Sequence, residues 1–231
     1  MGGSRDLPSA AGPRHAVLVA FARRPDPGRV KTRLARSIGD EPAARLYAAF
    51  VEDLRQRFAD APFAVRWAVA PPEQGFAARF AVDPQHVFPQ RGEDLGKRMS
   101  DAFRAMRERG FARCAVIGTD MPQLGVATVA DAFARLDDAD LVLGPAEDGG
   151  YYLIAARAPL AVFDGIAWGS PDVLAATLTR AAALGLRVSL LEPGFDVDDA
   201  ADLARLESLL SIPEARDAMP FTAAALNGLR R

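Results

Sequence analysis

The stretch His15-Ala-Val-Leu-Val-Ala-Phe21, followed after Ala22-Arg-Arg24 by Pro25-Asp-Pro-Gly-Arg-Val-Lys-Thr-Arg33, decides the fold. A short apolar run between turn-rich segments reads as a buried β-strand. In an open α/β sheet, ligands sit beyond the carboxyl ends of the strands, where this second stretch lies. From Arg14 to Arg36 the basic residues Arg23, Arg24, Arg29, Lys31 and Arg33 face a single acid, Asp26. Such a loop can offer backbone N–H groups near Gly28, and fixed cations at Lys31 and Arg33, to phosphate oxygens. Lys31-Thr32 matches the end of a P-loop, but Val30 stands where that motif needs glycine. No Gly-x-Gly-x-x-Gly follows the strand, which argues against a dinucleotide fingerprint. The alternative reading is a solvated basic surface loop.

Outward from this strand, apolar periodicity alternates. Asp40 reads as a helix cap with Pro42 in the first turn, and Leu46, Phe50, Leu54 and Phe58 form one helical face. Ala64–Ala70 is a strand ended by Pro71-Pro72, Gln74–Phe80 a short helix and His86–Phe88 a short strand. Leu95, Met99, Phe103 and Met106 mark a helix, Cys114–Gly118 a strand, and Val126, Val129, Phe133 and Leu136 another helix. Leu141–Leu143 and Tyr151–Ala156 are strands around a Glu-Asp-Gly-Gly turn. Ser170-Pro171 caps a helix to about Leu184. Arg187–Leu191 is the last strand and Asp199–Leu210 the last clear helix. From Ser211 the pattern is weak, leaving a packed helix and a frayed end both open. Alternating strands and helices imply an α/β fold, a mostly parallel, mixed sheet with helices on both faces. The Leu141/Tyr151 pair predicts one antiparallel excursion. No repeat or linker divides the chain, so residues 14–231 read as one domain and 1–13 as a disordered tail.

The chain has 231 residues, half of them apolar and a quarter charged, enough for a sizeable core without disulfides. A formal net charge of −2 provides no global field for nucleic acid or a membrane surface, and no run is long and apolar enough to span a bilayer. Met1–Pro13 lacks the apolar core of a signal peptide. The single cysteine, Cys114, sits in an apolar run and reads as a small buried hydrophobe, consistent with a reducing cytoplasm. Arginine supplies almost every positive charge; Lys31 and Lys97 are the only lysines, and both fall in loop-like segments.

Four more segments carry potential chemistry. Gly118-Thr-Asp-Met-Pro122 ends a buried strand, so Asp120 points into the ligand crevice or forms an Asx-turn before Pro122. In Asp196-Val-Asp-Asp199, alternation puts Asp196 and Asp198 on one side. Two such carboxylates repel unless a cation lies between them, and Mg²⁺ fits; the alternative is a helix N-cap at Asp198 or Asp199. Gly144-Pro-Ala-Glu-Asp-Gly-Gly-Tyr-Tyr152 contains a hairpin turn. Glu147, Asp148, Gly149, Gly150 and Tyr151 together read as a substrate-facing loop. In Gly92-Glu-Asp-Leu-Gly-Lys-Arg98, Gly92 and Gly96 would admit a base or ribose, whereas the simpler account is a helix entry capped by Asp94. Trp168 fits a pocket wall or the core. His15 and His86 have no metal or triad spacing.

Taken together these segments resemble a bacterial family of GT-A-fold proteins labelled glycosyltransferases and known as DUF2064. The resemblance rests on Phe21–Leu34, Gly92–Met99, Ile117–Leu124, Leu141–Ile154 and Asp196–Leu203, in the family's order. The family is similar in turn to small nucleotidyltransferases such as the phospholactate guanylyltransferases. The segments put Arg23, Gly28, Lys31, Arg33, Gly96 and Asp120 forward for nucleotide contact, and the resemblance implies phosphate on Lys31 and Arg33. It implies Mg²⁺ (or Mn²⁺) on Asp120, Asp196 and Asp198. Lys31 would stabilise developing charge, and Glu147 or Asp148 would orient or deprotonate an acceptor. The stretch Trp168-Gly-Ser-Pro171 departs from the family's Trp-Ser-Thr-Pro. The expected function is a Mg-dependent glycosyltransferase with a nucleotide-sugar donor and a small-molecule acceptor. The alternatives are a nucleotidyltransferase releasing pyrophosphate, which the density of cations favours, and a nucleotide-binding protein without turnover.

Overall fold

The computed structural model describes residues 15–229; the expected tail at 1–13 lies outside them. The chain forms one seven-stranded sheet flanked by helices, in the order β3-β2-β1-β4-β6-β5-β7. The strands are β1 (Ala16–Ala22), β2 (Ala64–Val69), β3 (Val87–Pro89), β4 (Arg113–Gly118), β5 (Leu141–Pro145), β6 (Tyr151–Ala156) and β7 (Val188–Leu190). Parallel pairing joins β1 to β2 and β4, β2 to β3 and β5 to β7. Among these strands only β6 runs antiparallel, to β4 and β5, which is the predicted excursion. The carboxyl ends of the other six therefore share one rim.

β1 is central because both of its faces are apolar. Leu18 and Ala20 enter one core layer, Val17 and Val19 the other, and all four are fully buried. The first layer is covered by α1 (Thr32–Ile38), α2 (Asp40–Arg57), α3 (Phe76–Arg79), α5 (Val126–Arg135), α7 (Ala200–Leu209) and α9 (Pro220–Leu229). The second is covered by α4 (Leu95–Glu108) and α6 (Val173–Ala183). Phe50 and Leu54 of α2, and Phe58 just after it, are buried as their spacing predicts, each contributing roughly 1.5–3 kcal/mol. Cys114 is buried in β4, which pushes its thiol pKa up. No helix of the described residues is long and apolar enough to cross a membrane.

Four local expectations change. Thr32–Ile38 is helical although the sequence reading left it in the loop. Asp40 is the first residue of α2 rather than its cap, because Gly39 takes that place; in the first turn its carboxylate still complements the helix dipole. Asp172, not Ser170, precedes α6, and Ser170 Oγ accepts from the Asp172 amide at 3.3 Å. The segment after Ser211 forms α8 (Pro213–Ala218) and α9. α9 is fastened to α2 by the buried Asp53 carboxylate, which accepts from the amides of Phe221 (3.0 Å) and Thr222 (2.8 Å).

Candidate active site

The loop leaving β1 is built to turn one side chain inward. Asp26 holds Arg24 at 2.8 Å, and its carbonyl accepts from the Arg29 amide at 3.0 Å, closing a turn. Lys31 then adopts a left-handed backbone, φ 49°, immediately before α1. For a residue with a Cβ this costs about 1–2 kcal/mol and persists only where surrounding contacts demand it. Those contacts are two carboxylates. The Lys31 ammonium is bound by Asp120 and, at 2.9 Å, by Asp198 Oδ1. Its side chain is only 3% exposed, with the rings of Tyr47 and Phe50 at about 6 Å.

Asp120 is set by the end of β4. Thr119 Oγ1 bonds the Phe21 carbonyl (3.2 Å) and Tyr47 Oη (2.7 Å), tying β4 to β1 and α2. The Asp120 carbonyl accepts from the Val197 amide at 2.9 Å. Val197 is fully buried, which leaves its neighbours Asp196 and Asp198 facing the cleft. Asp199 takes the helix cap instead: its carboxylate accepts from the amides of Ala201 and Asp202, while Asp202 accepts from those of Asp198 and Asp199. The two readings of this segment thus fall on different residues.

These elements enclose a cleft of about 550 Å³ at the carboxyl rim. Arg23, Arg29, Lys31, Arg33 and Arg98 line it, with Asp120, Asp196 and Asp198. Leu95, Met99, Tyr151 and Tyr152 supply apolar wall. Arg33 Nη2 reaches Asp198 Oδ2 at 2.7 Å. Burial would push the Asp198 carboxyl up, but Lys31 and Arg33 bring it below its ordinary value. Burial would likewise lower the Lys31 pKa, and Asp120 and Asp198 more than offset it. Among the described residues no cation is bonded to Asp196, although the Lys31 charge nearby tempers its rise. Burial, then repulsion from Asp120, pushes it up to about 7, with Asp198 and Asp148 adding to the rise.

Several expected residues lie elsewhere. Gly28 forms the turn before Arg29 and is off the cleft wall. Gly96 packs against Trp168, where a Cβ would lie 2.6 Å from the indole ring, and lines a groove beside the main cleft. Trp168 accordingly packs on α4 and lines the same groove. Asp94 caps α4, accepting from the Lys97 amide at 2.7 Å. Glu147 is paired with Arg205 at 2.5 and 2.7 Å. Asp148 accepts from the Gly150 amide at 3.0 Å, holding the β5–β6 turn. Gly149 has φ 89°, and a Cβ would run into the Pro171 carbonyl oxygen. Of this turn, only Tyr151 reaches the cleft.

Three cleft residues escaped the sequence reading of roles. Arg29 sat in the basic loop but carried no spacing of its own. Tyr47, whose hydroxyl accepts from the Arg23 amide at 2.9 Å, was indistinguishable from the apolar face of α2. Arg98 lay beyond a helix entry whose glycines drew the attention. Among the described residues, no group of three or more His, Cys, Asp or Glu side chains is placed to hold a metal ion by itself.

Comparisons with known proteins bear on the family and the fold. The family model "Uncharacterized protein conserved in bacteria (DUF2064)" matches residues 34–170, more than half of the chain. A phosphoenolpyruvate guanylyltransferase of Chloroflexus aggregans is 32% identical over 121 residues, covering 50% of this chain and 57% of that protein. The crystal structure of a candidate nucleotide-diphospho-sugar transferase from Desulfovibrio desulfuricans G20 superposes with a TM-score of 0.85 at 33% identity, covering 94% of this chain and 97% of that one. A cytidylyltransferase from Leptospira borgpetersenii shares the fold, with a TM-score of 0.51 at 13% identity over 86% and 87% of the two chains. The relatives bear transferase names, and the match between residues 34 and 170 includes Asp120 while Lys31, Asp196 and Asp198 lie outside it. The chain belongs to the DUF2064 family of proteins conserved in bacteria.

Proposed function

We propose that the cleft transfers a nucleotidyl group from a nucleoside triphosphate to a small anionic acceptor. The observation that carries this reading is the charge arrangement. Five cations, Arg23, Arg29, Lys31, Arg33 and Arg98, line one cleft with three carboxylates, Asp120, Asp196 and Asp198. So many cations suit the charge of a triphosphate. The guanylyltransferase relative supports the same reaction class and makes GTP and phosphoenolpyruvate the first pair to try.

In this reaction an acceptor oxygen attacks the α-phosphorus. The new P–O bond forms as the bond to the bridging oxygen of the β-phosphate breaks, and pyrophosphate leaves with the electron pair. The chain's own contribution is preorganised positive charge where negative charge develops. Lys31 is buried, cationic and held in place from both sides. Arg33 is held by Asp198 at the cleft edge. Asp148 carries no proton in this scheme, because its carboxylate holds the turn.

The donor set fits a hard dication. Mg²⁺ takes oxygen ligands, often one or two carboxylates with waters and substrate phosphates, so it needs no closed protein cage. Asp196, with its raised carboxyl pKa beside Asp120 and Asp198, is a site short of positive charge. We assign Asp120, Asp196 and Asp198 to hold Mg²⁺ or Mn²⁺. When bound, the ion would supply Lewis-acid neutralisation of the phosphate oxygens.

A second reading, glycosyl transfer from a nucleotide sugar, draws support from the 33% identical D. desulfuricans protein. Product analysis by phosphorus NMR separates them. With Mg²⁺, GTP and phosphoenolpyruvate, or with the other triphosphates and small phosphorylated acids, pyrophosphate should appear together with a new phosphodiester-type or phosphoanhydride signal. Nucleoside diphosphate from a nucleotide sugar, with no pyrophosphate from any triphosphate, would favour glycosyl transfer instead.

A further inference from the structure

Asp120 and Asp196 are brought together against their charge. Burial, and then repulsion from Asp120, raises the Asp196 carboxyl pKa, so the two segments would drift apart unless other contacts held their spacing. The backbone supplies one tie, the Val197 amide on the Asp120 carbonyl at 2.9 Å. A side chain supplies the other: Gln123 Nε2 donates to the Phe195 carbonyl at 2.8 Å. Both neighbours of Asp196 are thus fastened to the loop that starts at Asp120. Gln123 Oε1 is buried with no hydrogen-bond partner among the described residues. A methionine would fill the same space without an unmet acceptor, so packing alone does not account for an amide here. The loop is gripped in turn from α2. Arg57 Nη1 donates to the carbonyls of Pro122 and, at 2.9 Å, Leu124, on either side of Gln123. Its Nη2 donates to the Ala218 carbonyl at the end of α8. Among the described residues Arg57 forms no ion pair; the hydrogen bonds of its guanidinium all go to carbonyls. A planar fork fixes several acceptors at set angles, which a flexible ammonium cannot do.

We propose that Gln123 and Arg57 are positioning residues that set the separation of Asp120 and Asp196, so that the two carboxylates stand ready for a dication. This rests on the metal assignment made above for these carboxylates, and not on which group is transferred. Neither side chain is among those lining the cleft. Gln123 acts on Asp196 through Phe195, and Arg57 acts on Gln123 through the carbonyls beside it. The fold then holds two like charges close before the ion arrives, and binding has no loop to reorganise. The brace also gives α8 a part in the site, because its last carbonyl shares the guanidinium that holds the Asp120 loop.

The test is Mn²⁺ binding, read from the loss of the free-ion EPR signal, in the wild type, Gln123→Met, Arg57→Lys, Asp120→Asn and Arg113→Gln, with urea denaturation alongside. Asp120→Asn removes a proposed ligand and marks the site. Arg113→Gln cuts another arginine–carbonyl bond, the one from Nη1 to Phe133 at the far end of β4, and controls for lost stability. Gln123→Met and Arg57→Lys should each bind Mn²⁺ roughly tenfold more weakly or worse, while Arg113→Gln stays within about twofold of the wild type. Should the lysine variant fail to fold, Gln123→Met, which keeps the volume, carries the test alone. Wild-type affinity in Gln123→Met, or a fall in Arg113→Gln as large as in the brace variants, overturns the brace. If Asp120→Asn has meanwhile lost Mn²⁺, the metal assignment stands and the brace fails alone. If the wild type takes up no Mn²⁺, by itself or with GTP, the metal assignment falls and takes the brace with it.

Discussion

The loop after β1 and the turn between β5 and β6 sit at the same rim, both rich in charge and glycine, yet they use their charges in opposite ways. The first sends Lys31 and Arg33 to acids far along the chain: Lys31 meets Asp198, 167 positions away. The second spends its charges on itself and its support. Asp148 bonds Gly150, two residues on, and Glu147 is clamped by Arg205 on α7. Long-range pairing alone does not mark the cleft, since Glu147 meets Arg205 58 positions away; what marks it is pairing with the strand-end carboxylates Asp120 and Asp198. A charge paired within its own turn shapes that turn.

Substitutions can break this contrast. The largest functional loss belongs to Lys31→Ala. Removing a preorganised cation of this kind costs about 100-fold or more in turnover. It should also cost about 1–3 kcal/mol of stability, less than a fully buried pair would, because Asp120 and Asp198 keep contact with water. Steady-state kinetics and urea denaturation measure the two effects, and near-normal turnover would show that Lys31 is only structural. Gly149→Ala should act the other way round. With φ at 89° and the Pro171 carbonyl in the way, it should destabilise by about 2–4 kcal/mol. An unchanged urea midpoint would mean that the turn is not the rigid support described here.

Smaller effects sharpen the same contrast. Asp53→Ala removes the acceptor of two amides at the start of α9 and should cost about 1–2 kcal/mol, with hydrogen exchange at Phe221 and Thr222 rising first. If those amides stay protected, α9 is held by its apolar face alone. Arg205→Ala should be the mildest. Both members of the Glu147 pair are about half exposed, so the urea midpoint should barely move, and turnover should change little. A large drop in turnover would return Glu147 to the substrate side and undo the contrast.

Much of the fold was legible because strands buried on both faces read as continuous apolar runs, as in Ala16–Ala22 and Arg113–Gly118. α1 was not, because two short turns rich in arginine follow a residue in a left-handed conformation. The segment that forms α8 and α9 stayed open between a packed helix and a frayed end, because the acceptor that starts α9, Asp53, lies 168 positions earlier on α2. In the site, the strand-end rule placed Lys31 and Asp120 at one crevice, while Asp198 joined them only through the family resemblance and its direct pairing with Lys31 was not legible. The packing of Gly96 on Trp168 was not legible, because a glycine that admits an indole and one that admits a ligand look alike in sequence. Arg29 could not be told from Arg24, since which of them Asp26 neutralises is a matter of geometry.

The claim on which the rest stands is that this cleft binds nucleotide phosphates, and melting temperature measures it most directly. Saturating GTP with Mg²⁺, at about 100 times its Kd, should stabilise the folded chain by about 2.7 kcal/mol. For a chain of this size that raises Tm by roughly 5–10 °C. The shift should vanish in Lys31→Ala. No shift with any nucleoside triphosphate or nucleotide sugar, with or without Mg²⁺, would contradict the account.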